Sequence, residues 1–136
     1  MSGKFAALAV QADAPSRMPI LHPATGEPVL CAAGEPAWID LHSTDSPAAL
    51  RHQRAAQNRR LQSRARKITA EELEAEGIDL LAVLTAAWRL VGLDGAVLDI
   101  PCTRANAAEL YAEPAAAWIR EQVNTFAADR GNFLRT

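Results

Sequence analysis

The chain is short of most of what active sites and membrane spans are built from. Aromatic residues make up 5% of its 136 positions, with a single Tyr, and its seven glycines are scattered singly, so no phosphate-cradling loop can form. Cys31 and Cys102 are the only cysteines. They leave one long-range disulfide open but make no disulfide framework, which points to a reducing cytosol. Among long apolar runs, Phe5–Val10 is too short for a signal-peptide core and far too short for a membrane helix, which predicts a soluble, unexported protein. A formal charge of −2 argues against a protein that coats nucleic acid.

The same scarcity limits catalysis. His22, Cys31, His42 and His52 fall at no metal-ligand spacing. Ser43 and Ser46 have His42 nearby, but no strand–Ser–helix elbow surrounds them, and Ser46 reads better as a helix cap. The carboxylates gather at the start of a helix, where the helix dipole and solvent account for them. No enzymatic activity, cofactor or metal is expected.

What is present is a β-then-α pattern. Residues 1–44 read as short strands and turns: Phe5–Val10, Met18–His22, Pro28–Ala32 and Ala37–Leu41, with Gly26 and Gly34 in the turns. So small a sheet needs something to pack on. Residues 45–68 read as an exposed basic helix, with Ser46 at the N-cap and Pro47 at the first helical position. Arg51, Arg54, Arg59, Arg60, Arg64, Arg66 and Lys67 supply half of the chain's fourteen cationic side chains. Leu50 and Leu61 are expected to form its thin buried stripe. Residues 69–136 read as a helical core body. Thr69 and Glu72 make a capping box, and the apolar run Ile78–Val91 is expected to be the central core helix. Gly92 would end it, Asp94-Gly95 would turn a short hairpin, and Thr103 would cap a helix through Tyr111. Pro114 would open a last helix to about Arg130, with Ile119, Val123 and Phe126 facing inward and Gly131 as its C-terminal cap. The fold class expected is therefore α+β: a small N-terminal antiparallel β-meander, then a mainly helical body with one short hairpin.

Two features carry candidate partner sites. An Arg-rich helix can follow a phosphate backbone, pair with carboxylates of a protein partner, or be solvated beside the acidic helix that follows. No aromatic residue lies among its arginines to stack on bases, and the acidic run lowers the local potential. Trp118 falls on the flank of the last helix's inner face, beside Gln122 and Asp129. There it either widens the packed face or forms the rim aromatic of a protein-binding hot spot. The candidate partner-binding residues are Arg51, Arg54, Arg59, Arg60, Arg64 and Trp118.

Four stretches, Trp88–Gly95 (WRLVGLDG), Asn106–Tyr111 (NAAELY), Trp118–Val123 (WIREQV) and Phe126–Phe133 (FAADRGNF), together resemble the tail assembly chaperones of long-tailed bacteriophages. His22–Pro28 (HPATGEP) and the basic run Arg51–Lys67 are similar to the same family. The resemblance implies a non-enzymatic protein of the host cytoplasm. It would bind the tape-measure protein, the tail-tube protein or both, and keep the client soluble during tail assembly. It carries no residue-level functional motif and leaves self-association open. The competing readings are a structural virion component, such as a neck or tail-completion protein, and a nucleic-acid binder acting through the basic helix.

Overall fold

A computed structural model describes residues 4–5, 14–63 and 67–134. Of the first expected strand only Phe5 falls among them, exposed in a turn; residues 6–10 lie outside the described residues. The other three expected strands all take part in pairing. Strand β1 (Ser16–Pro19) runs antiparallel to β2 (Trp38–Leu41), with Met18 opposite Ile39. The segment between them pairs only through isolated bridges, Leu21 with Pro28 and Leu30 with Pro36, each placing its proline at a non-hydrogen-bonded position where the missing N–H costs no bond. Gly26 (φ 74°) and Gly34 (φ 84°) make its turns in the left-handed region. Strand alternation sends Met18, Ile20, Ile39 and Leu41 inward, all of them buried.

The largest departure from the sequence reading lies at Ile78–Val91. Helix α2 spans Ala70–Leu84, and the chain passes without a loop into strand β3 (Thr85–Val91). The Thr85 hydroxyl donates to the Leu81 carbonyl at 2.8 Å and lies 2.6 Å from the Tyr111 hydroxyl, which fixes the change of direction. An apolar run of this kind fits a buried helix or a buried strand equally by periodicity. The free edge of β2 decides for the strand, pairing Ile39 with Trp88 and Trp38 with Arg89. Gly92 thus ends a strand and not a helix. The expected Asp94-Gly95 turn does form, with Gly95 at φ 88°, and leads into β4 (Val97–Leu98). The result is one antiparallel sheet in the order β1-β2-β3-β4, which joins strands from before and after the basic helix. With four α-helices among the described residues, the fold is α+β as expected.

The helices form where their caps were read. Thr69 accepts from the Glu72 N–H at 3.1 Å to start α2, and Thr103 accepts from the Asn106 N–H at 3.1 Å to start α3 (Arg104–Ala112). A 3₁₀ turn over Pro114–Ala116 then leads into α4 (Ala117–Ala128). Leu81, Ala107, Tyr111, Ile119 and Val123 from these helices pack against Met18, Ile39 and Leu90 of the sheet as one core. Helix α4 stops at Ala128, short of Arg130, and Gly131 is not left-handed. Instead the Asp129 carboxylate accepts from the Gly131 N–H at 3.0 Å and starts a 3₁₀ turn over Arg130–Phe133. That turn drives Phe133 edge-on against Phe126, ring centroids 5.8 Å apart, and leaves Leu134 exposed. Full burial of a side chain this size contributes on the order of 2–3 kcal/mol. Among the described residues no helix is long and apolar enough to cross a membrane.

Candidate partner-binding surfaces

The basic helix is α1, Pro47–Ser63. Its start is as read: the Ser46 hydroxyl, buried, accepts from the Ala49 N–H at 3.2 Å. Its buried face is not. Leu50 is 49% exposed and Leu61 is 76% exposed, and the helix lies on α2 through Ala49, Ala56 and the half-buried His52. Small residues on that row let the two helices approach closely, which turns both leucines to solvent. Polar pairs flank the contact. His52 Nε2 lies 3.3 Å from Asp79 Oδ2, and Arg60 pairs with Glu76. Burial raises the Asp79 pKa, but the hydrogen bond from His52 and the charge of Arg104 outweigh it, so the carboxyl titrates below its ordinary value.

The five arginines proposed on this helix therefore divide. Arg60 is engaged with α2. Arg51, Arg54 and Arg59 are exposed and make no ion pair with described residues. Arg64 lies outside the described residues, as does Arg66. Trp118 belongs to a different surface, since none of Arg51, Arg54, Arg59 and Arg60 lines the groove in which it sits.

That groove, of about 730 Å³, runs between α4 and the segment from β1 to Pro23. Its α4 wall carries Trp118, Glu121, Gln122, Thr125, Phe126 and, just past the helix end, Asp129. Opposite stand Met18, Pro19, Leu21, His22 and Pro23. Gln122 ties the walls together: its amide oxygen accepts from the Leu21 N–H at 2.9 Å while its amide nitrogen donates to the Leu21 carbonyl at 2.8 Å. Ser16 adds a second tie, donating to the Asn132 carbonyl at 2.8 Å. Trp118 is half-buried, packed against the core along one side and open to the groove along the other. The core reading therefore holds for one side of the ring, while the other side is open to the groove. Of the α4 wall, the spacing of Trp118, Gln122 and Asp129 was visible in sequence. The opposite wall was not, because only the β1–α4 packing brings it near.

The other residues considered for chemistry have local partners or none of a metal site's company. Among the described residues no three of His, Cys, Asp and Glu gather as a metal site would require. His22 Nδ1 accepts from the Ala24 N–H, and the Ser43 hydroxyl accepts from the Asp45 N–H, both at 3.0 Å. Cys31 and Cys102 are free thiols. Burial, with the nearby Asp40 charge, pushes the Cys102 thiol up. Burial also raises Tyr111 to about 12, although its hydrogen bond with Thr85 acts the other way.

Compared with protein-family models, with curated proteins and with solved structures, the chain matches none.

Proposed function

We propose that the protein is a non-enzymatic tail assembly chaperone of a long-tailed phage. In the host cytoplasm it binds the tape-measure protein, the tail-tube protein or both, and keeps the client soluble until assembly. The carrying observation is the open apolar groove beside Trp118, set on a well-packed core. A groove of this form suits a protein partner better than a small substrate, because it is open along its length and brings no set of reactive groups together. The resemblance in Trp88–Gly95, Asn106–Tyr111, Trp118–Val123 and Phe126–Phe133 supplies the identity of the client.

Co-expression with the tape-measure protein of the same phage tests the reading. The expected result is a several-fold rise in soluble tape-measure protein and its co-purification with this chain. No rescue and no co-purification with either client overturns it. Stoichiometric recovery of the chain from purified particles would instead favour a structural neck or tail-completion protein.

A further inference from the structure

We propose that the β1–α4 groove binds one face of an amphipathic helix of a partner protein, with an apolar row toward the groove and Lys or Arg on its flanks. The proposal takes the nature of the partner from the chaperone reading, while its geometry stands on the groove alone.

Shape selects a helix over a strand. A strand would have to add to the outer edge of β1 and its continuation, which borders the groove. That edge is closed. Pro19 has no N–H to offer, and both backbone groups of Leu21 are held by the Gln122 amide. The α4 wall of the groove runs from Trp118 to Asp129, about 16 Å at a rise of about 1.5 Å per residue, or roughly three helical turns. A partner helix of that length presents three or four apolar residues at three- and four-residue spacing.

Charge selects the flanks. Glu121 and Asp129 lie about 12 Å apart along the helix direction, and neither has a cationic partner among the described residues. Among the described residues no Lys or Arg lines the groove. Arg130, the cation next in sequence to Asp129, is turned away to Asp45 at 2.7 Å. His22 faces the groove too, with its Nδ1 accepting from the Ala24 N–H. The rim therefore carries negative charge that no cation among the described residues balances, Asp129 accepting only from the Gly131 N–H. Trp118 is the aromatic anchor such interfaces concentrate their energy on.

The test uses the full chain and three labelled peptides of about four helical turns. One has leucines in a helical row with lysine flanks, one has the same leucines with glutamate flanks, and one is the lysine peptide scrambled. Binding is followed by fluorescence anisotropy. The lysine helix is expected to bind about tenfold or more tighter than either other peptide, equivalent to about 1.4 kcal/mol. Glu121→Lys should remove most of the preference over the glutamate helix, and Trp118→Ala should bring the lysine helix most of the way down to the scrambled peptide. Glu109→Lys, an equal charge change on an exposed residue of α3, should leave it intact. Circular dichroism and thermal melts check that each variant is folded. Equal affinity for the lysine and glutamate helices, or equal effects of Glu121→Lys and Glu109→Lys, overturns the proposal. So does self-association of the wild type that Glu121→Lys abolishes, since a second copy's α1 would then be the occupant. Co-expression separates the two readings. If the Glu121→Lys and Trp118→Ala chains solubilise the tape-measure protein as well as the wild type, the groove proposal fails and the chaperone reading stands. If the peptides behave as expected but wild type solubilises neither client, the chaperone reading fails and the groove stands.

Discussion

Helices α1 and α4 show two ways of attaching a helix to a small domain. The longer, α1, buries only Ala49 and Ala56 among its described side chains, exposes both of its leucines, and is held along its flank by His52–Asp79 and Arg60–Glu76. The shorter, α4, buries Ile119, Val123 and Ala127 and draws Phe133 back onto Phe126. Apolar area removed from water scales with stability, whereas exposed ion pairs add about 1 kcal/mol or less each. Length and charge therefore misrepresent which helix the fold depends on. The same contrast separates the candidate surfaces: α1 offers charge without a cavity, and α4 offers a cavity edged by charge.

The contrast breaks first, if it breaks, at Phe133. Phe133→Ala should cost about 3–5 kcal/mol, while Leu61→Ala on α1 should change stability by about 0.5 kcal/mol or less, both read from urea denaturation. Comparable losses at the two positions would mean that α1 is packed after all. Next in size is the core hydroxyl of Tyr111. An unfolded tyrosine ionises near pH 10, and the folded one is raised to about 12. The stability this contributes is complete below about pH 10 and is lost as pH climbs toward 12, about 3 kcal/mol in all. Tyr111→Phe should lack that alkaline slope in a pH series of denaturation curves. Smaller again is the α1 cap: Ser46→Ala should cost about 1 kcal/mol, with faster amide exchange concentrated in the first turn of α1. The smallest effect is expected at Asp79. Its lowered pKa means that its contribution is full above the ordinary carboxylate value and is lost as pH falls through the folded value, so Asp79→Asn should flatten the acid limb slightly.

Local chemistry was legible in the sequence wherever one or two neighbouring residues decide the outcome. The caps at Ser46, Thr69 and Thr103 and the turns at Gly26, Gly34 and Gly95 all form where they were read. The failures share another cause. Thr85–Val91 carries an apolar pattern open to helix or strand, and its choice depends on the edge of β2 far away in the chain. Leu50 and Leu61 are the large apolar residues of α1 and so its expected buried stripe, yet alanines on the neighbouring row face α2 instead. Half of the groove was invisible for the same reason as β3. Met18–Pro23 meets Gln122 only through long-range packing, and no local spacing records that meeting.

The join of α2 to β3 has a consequence in time. Strands β2 and β3 are central neighbours in the sheet, but the whole of α1 and α2 lies between them in the chain. Closing so long a loop is slow unless something shortens it first. Docking of α1 on α2 does so, because the His42 N–H then meets the Leu84 carbonyl at 2.8 Å and β3 emerges directly from the next residue. A substitution that loosens this pair, such as Ala56→Gly, should therefore slow refolding while leaving the unfolding rate nearly unchanged. The helix that adds little to the depth of the native well would then govern how quickly the chain reaches it.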